Sequence, residues 1–160
     1  MGYCIGSVDT TTFAKRWRDT FTPTIDSKLV PGPGVRCDDS LMERDEIKGF
    51  RHAVHNANCS MLQAWPQTLE QYPAHLHIDI LPEYHRKGHG TVLMNAFLDA
   101  VMGQGAAGVH LDMVQHNVTG RAFYDRVGFQ KCPLVMDGGA SGETGVNGIV
   151  VTLIMDLGGV

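Results

Sequence analysis

The sequence predicts a mixed α/β fold, and three observations predict it. The apolar stretch Ile78-Asp79-Ile80-Leu81 runs through Pro82 into a loop holding Gly88 and Gly90, and an amphipathic pattern begins at once. In that pattern Val92, Leu93, Ala96, Phe97, Ala100 and Val101 recur at three- and four-residue steps, the period of a helix. A second stretch, Val109 to Val114, alternates apolar and polar residues as a half-buried strand does, and it too leads into a helical pattern. Apolar content of 43% and charged content of 19% are those of a soluble globular chain. A length of 160 residues predicts one domain over 1–160, large enough for a core.

Taken in order, Tyr3, Ile5 and Val8 read as a strand beginning almost at the first residue. Asp9 to Thr12 is a polar turn with a plausible N-cap. Phe13, Trp17 and Phe21, spaced by four, predict one apolar helical stripe that Pro23 ends. Asp26 to Cys37 is a loop, broken hardest at Pro31-Gly32-Pro33-Gly34. Ser40 caps the next predicted helix, Leu41 to Val54, with Glu43 completing a capping box and Met42, Ile47, Phe50 and Val54 as its apolar face. Met61 to Tyr72 is a short helical piece broken by Pro66, and Trp65 beside it is read as core together with Trp17 and Phe21.

Ala74 to Leu81 is then the central strand, followed by the helix after Gly90, which ends over Gly103 to Gly108. Val109 to Val114 is the next strand and Asn117 to Val127 the next helix. A strand over Phe129 to Met136, a glycine-rich hairpin loop over Asp137 to Gly148, and a β-branched strand from Ile149 to Met155 complete the chain.

Composition excludes several functions. A net charge of −4 argues against nucleic-acid binding through a basic surface and is compatible with a basic amine substrate. Cys4, Cys37, Cys59 and Cys132 have no paired spacing and read as reduced thiols of an intracellular protein, cytoplasmic or nuclear. No apolar run approaches the ~18 residues of a membrane span, and no signal peptide is present.

The chemistry concentrates after the central strand. Gly88 and Gly90 let the backbone come close to a ligand, and the following helix start offers unpaired N–H groups and a positive dipole end. Arg86 and Lys87 add positive charge, so the loop suits a pyrophosphate. A dinucleotide fingerprint needs a third glycine, and position 93 is Leu; the Walker pattern is absent too.

His85-Arg86-Lys87-Gly88-His89-Gly90 resembles the acyl-CoA loop of the GNAT superfamily of N-acetyltransferases, Gln/Arg-x-x-Gly-x-Gly/Ala, with His85 where Gln or Arg is usual. The block from Asn117 to Phe129, containing Phe123-Tyr124 and Gly128-Phe129, resembles the family's second hallmark, Asn-x-x-Ala-x-x-Phe-Tyr-x-x-x-Gly-Phe. The resemblance implies a mixed sheet splayed between its two middle parallel strands, with helices on both faces. It covers about residues 2 to 157. The family opens with a strand, one or two helices and another strand ahead of the equivalent of Gly2-Tyr3-Cys4-Ile5. Their absence here predicts a fragment, a misplaced start, or an exposed edge strand that invites a homodimer. The segments Tyr3 to Asp9 and Tyr72 to Pro82 also resemble one subgroup, the acetyltransferase-like C-terminal domain of protein O-GlcNAcases and its free-standing relatives.

What the resemblance implies for activity is transfer of acetyl from acetyl-CoA to a small-molecule or peptide amine by direct attack, with neither nucleic acid nor membrane involved. The backbone of Ile80 or Leu81 is expected to pair with the pantetheine, and the loop from His85 and Arg86 through Lys87, Gly88, His89 and Gly90 to Thr91 to hold the pyrophosphate. Tyr124 is the expected acid for the departing thiolate. Asn117 either bonds the pantetheine or caps its helix. The base stays open among His75, His77 and Asp79 on one strand face, His110 or Asp112 on the neighbour, and a water relay; Asp79 is the catalytic candidate carried forward. His75-x-His77 with Asp79 could also bind zinc, but the family needs no metal, and none is expected. The rival reading is a non-catalytic pseudo-acetyltransferase module, with or without CoA.

Overall fold

The computed structural model describes residues 1–56, 62, 65–134 and 150–158. Its strands are β1 (Gly2–Ser7), β2 (Ala74–Ile80), β3 (Gly108–Val114), β4 (Gln130–Lys131) and β5 (Val150–Asp156), in sheet order β1-β2-β3-β5-β4. Its helices are α1 (Thr10–Arg16), α2 (Asp45–His55), α3 (Pro66–Gln71), α4 (His89–Met102) and α5 (Val118–Val127). β2 and β3 are parallel; the other pairings are antiparallel.

The central feature is a split. β1 and β2 pair from Gly2↔Ile80 to Ser7↔His75, and β3 and β5 along seven positions. β2 and β3 pair only at Ala74↔Val109 and His75↔His110. Beyond that register the two middle strands diverge, as the family resemblance implied.

Alternation sorts the side chains into two layers. On one face Ala74, Leu76, Val109, Leu111, Met113, Val151 and Leu153 form the main core with Met94, Leu98 and Val101 of α4. Phe123, Tyr124 and Val127 of α5 pack against its edge. On the other face Leu62, Leu69 of α3 and Cys132 form a smaller core with Tyr72, Leu134 and Ile154. Phe13 of α1 meets the ring of His75 on that side. Helices therefore lie on both faces.

α1 begins where the polar turn predicts: Asp9 is its N-cap, accepting from the Thr12 N–H. It continues through a wider π-type turn over Trp17–Phe21, and the Phe13, Trp17 and Phe21 rings lie tilted against one another along one side. Trp17 is anchored by its indole N–H on the Val54 carbonyl, whereas Phe21 is exposed rather than core, and Trp65 is half-buried.

α2 starts at Asp45, not Leu41, and Ser40 does not cap it. The reason is that Glu43 is used elsewhere, accepting from the Cys37 N–H (2.7 Å) and pairing with Lys48 (3.2 Å). Its buried stripe is also different. Phe50 is 56% exposed, while Arg51 turns inward and is 5% exposed. The Arg51 guanidinium donates to the carbonyls of Pro31, Gly32, Val35 and Met42 at 2.7–3.0 Å. Four carbonyl dipoles thereby compensate a buried cation and fix the Pro-Gly loop.

α3 keeps the second half of the helical piece predicted over 61–72, with Pro66 at its first turn. The strand predicted from Phe129 is described only as β4; Cys59 and the hairpin loop at 137–148 lie outside the described residues. Among the described residues, no helix is long and apolar enough to cross a membrane.

Candidate active site

The split has a closed end and an open end. At the closed end sit His75 and His110, their rings 6.0 Å apart. The Thr10 hydroxyl donates to the Pro73 carbonyl (2.7 Å), so the His75 Nδ1–H donates to Thr10 Oγ1 (2.7 Å). The His110 Nδ1–H donates to the Tyr72 carbonyl (2.7 Å). Burial, with His110 adding repulsion, lowers His75 to about 4. His110 is lowered too, chiefly by burial. Both rings are neutral struts near pH 7 and poor bases.

The open end presents main-chain groups. The Leu81 N–H donates to the Met1 carbonyl (3.1 Å), which fixes the alternation along β2. The main-chain groups of His75, His77, Asp79 and Leu81 face β1; those of Leu76, Ile78 and Ile80 face the split. Leu81, the alternative to Ile80 for the pantetheine contact, thus spends its N–H on Met1, just ahead of β1. The Ile80 carbonyl carries the His85 Nε2 at 2.6 Å.

After Ile80 the chain makes a short turn over Pro82–Tyr84 and enters α4. Gly88 is the N-cap, at φ 84°, and among the described residues no side chain caps the helix. The start of α4, where a helix leaves its first N–H groups without intrahelical partners, lies beside exposed Arg86, Lys87 and His89. Arg86 is also left-handed (φ 57°), a strained setting for a non-glycine residue. Lys87 Nζ stands 5.7 Å over the Tyr84 ring, which also meets His89 edge-on.

The two glycines do different work. A Cβ on Gly88 would meet nothing within 4 Å, so the backbone angle requires glycine there. A Cβ on Gly90 would lie 3.2 Å from Ile80 Cδ1 and 3.3 Å from the Phe123 ring, so closeness favours it. This near-contact brings α5, and with it the second sequence block, against the start of α4.

Tyr124 follows Phe123 and is half-buried, its ring tilted on Phe123 and edge-on to Phe129. Asn117 caps α5: its Oδ1 accepts from the Gly120 N–H (2.8 Å). A Cβ at position 120 would come within 2.7 Å of the Asn117 amide, so glycine there makes room for the cap. Asp79 and His77 are exposed on the face away from α4, and His77 stacks on Tyr3. Among the described residues, no group of three or more His, Cys, Asp or Glu is arranged to hold a metal ion. Arg51 escaped the sequence reading, although its spacing of four from Ile47 and three from Val54 placed it on the buried stripe.

The profile of the acetyltransferase (GNAT) family matches residues 40–129, more than half the chain and the whole of β2, the glycine loop, α4 and β3. The chain belongs to the GNAT family. A crystal structure of SsHAT is 31% identical at a TM-score of 0.73, with 98% of this GNAT chain and 66% of that chain covered. The present chain therefore spans just under two thirds of that protein. The ribosomal-protein-S18-alanine N-acetyltransferase of Escherichia coli is 21% identical at a TM-score of 0.45, with 54% of this chain and 56% of that chain covered. Nourseothricin acetyltransferase is 25% identical at 0.46, with 52% and 51% covered. A mixed sheet parted between its middle strands is the GNAT fold in this chain.

Proposed function

We propose that this protein is an acetyl-CoA-dependent N-acetyltransferase acting on a primary amine of a small molecule or peptide. The observation that carries the reading is the split between β2 and β3, leading to a glycine-capped helix start between Ile80 and Phe123. Such a path suits a flexible arm with a diphosphate at one end. The N–H groups opening α4, from His89 to Thr91, with the cations of Arg86 and Lys87, would hold the diphosphate. The Ile80 N–H and the main-chain groups of Ile78 would pair with the arm as a strand would. When bound, acetyl-CoA supplies an acyl group activated as a thioester.

The chain's own residues then orient and move protons. The Tyr124 hydroxyl is the acid assigned to the thiolate that leaves. Asp79, exposed on the sheet face away from α4, is assigned the ammonium proton of the acceptor, directly or through water. His75 and His110 are excluded from that task by their burial and committed Nδ1 atoms. Asn117 acts through α5: its cap fixes the helix that carries Tyr124.

Within the family, the segment from Tyr72 to Pro82 supports a place beside the O-GlcNAcase-type domain. Edge strand β1, with Ile5 60% exposed, supports pairing with a second copy, which light scattering of the purified chain would test.

Calorimetry with acetyl-CoA tests the binding step. Wild type is expected to bind, and Gly90→Trp, which fills the space beside Ile80 and Phe123, to lose at least roughly 100-fold in affinity. A thiol-release assay over a panel of amines then tests turnover, with Tyr124→Phe expected to lower kcat by roughly 10²-fold. A protein that binds acetyl-CoA and releases no thiol with any amine is a binding module, and the enzymatic reading fails.

A further inference from the structure

His85 is where the acyl-CoA loop departs from the usual Gln or Arg, and its ring has a defined job. Its Nε2 lies 2.6 Å from the carbonyl oxygen of Ile80, five residues earlier. That carbonyl belongs to the last residue of β2 and faces the split, where β3 has already left. Between the two ends of this bond the chain makes its turn over Pro82–Tyr84. Directly after it, Arg86 takes a left-handed conformation that a side chain resists, and Gly88 follows at φ 84°. A strained loop persists only when its surroundings hold it.

We propose that His85 is a positioning residue: the bond from its Nε2–H to the Ile80 oxygen ties the loop back onto β2 and holds the amides opening α4 in a diphosphate-binding arrangement. The inference rests on the acetyl-CoA reading above and deepens it. It has two consequences. First, the arm meets at Ile80 a free-facing N–H and an oxygen that already accepts one bond, from His85. Second, a glutamine carries an amide N–H the same number of bonds from Cβ as the His85 Nε2, so Gln at this position can make the same tie. His and Gln become equivalent by geometry, although only one is aromatic and titratable.

The test compares His85→Ala, His85→Gln and His85→Phe with wild type, using Gly90→Trp as the binding-dead control. In unliganded protein, hydrogen exchange is followed at the amides of residues 84–92. Loss of the tie is expected to speed that exchange by roughly three- to tenfold in the Ala and Phe variants, the worth of one hydrogen bond, with Gln close to wild type. Calorimetric affinity for acetyl-CoA is expected to fall by a similar factor in Ala and Phe and to recover in Gln. Wild-type exchange in His85→Ala overturns the proposal, as does a Gln variant no better than Phe. A wild type that takes up no acetyl-CoA fails the functional reading instead, and the exchange measurement on the unliganded chain still decides the tie.

Discussion

The two halves of β2 make opposite uses of one strand. At Ala74 and His75 it pairs with β3, through Ala74 and Leu76 it packs into the main core, and two neutral histidines brace it. From Ile78 to Ile80 its one partner strand among the described residues is β1, and the main-chain groups on the other edge face the split. The change comes within one or two residues, where β3 departs. On the function proposed above, the closed half carries stability and the open half recognition, and substitutions should separate the two.

Leu76→Ala in the closed half should have the largest effect, about 3 kcal/mol of stability lost in urea unfolding, since the side chain is buried in the main core. Affinity for acetyl-CoA in the folded fraction should change little. A large loss of affinity at unchanged stability would break the division.

Acid should act on the closed half next. His75 is held down to about 4 in the fold against ~6.5 in the unfolded chain. Between those values the unfolded chain takes up a proton that the folded one refuses. Stability is therefore fully present above pH ~6.5 and falls as the pH drops towards 4, by up to ~3 kcal/mol, with His110 contributing in the same sense. Thermal midpoints from pH 7.5 to 4.5 measure this, and His75→Gln should flatten the curve.

Gly88→Ala, at the boundary, should cost about 1 kcal/mol through its positive φ and weaken acetyl-CoA binding as well, because the angle aims the start of α4. Asn117→Ala should cost about 1 kcal/mol through the lost cap, with kcat falling only through a loosened α5. That is the smallest effect, and it sharpens the comparison: Asn117 should behave as a brace and not as a ligand.

Much of this was legible beforehand, and unevenly. β2, the glycine loop and α4 were readable because local period and turn chemistry agree there; β2 and β3 fell within a residue of their predicted ends. The split was legible only through family resemblance, since nothing in Val109 to Val114 announces that its pairing stops at His110. α2 was misplaced because the capping-box pattern at Ser40 is local, whereas the amide that claims Glu43, from Cys37, comes from a folded loop. Phe50 and Arg51 exchanged expected places for a similar reason: periodicity ranks residues by apolarity and cannot foresee four carbonyls gathered round a guanidinium. The His85 bond was invisible too, because it joins a side chain to the main chain across a turn. Among the candidate residues, Gly90 and Ile80 are brought together beside Phe123 of the second block, and Asp79 stands on the opposite face of the sheet.

The way Arg51 holds its loop bears on how this protein could change. The groups it grips are peptide oxygens, which every amino acid possesses. Residues such as Pro33, Arg36 and Asp38 can therefore be exchanged without removing a single anchor. A randomised library at those three sites should yield mostly soluble, folded variants, giving selection a rigid frame on which to diversify.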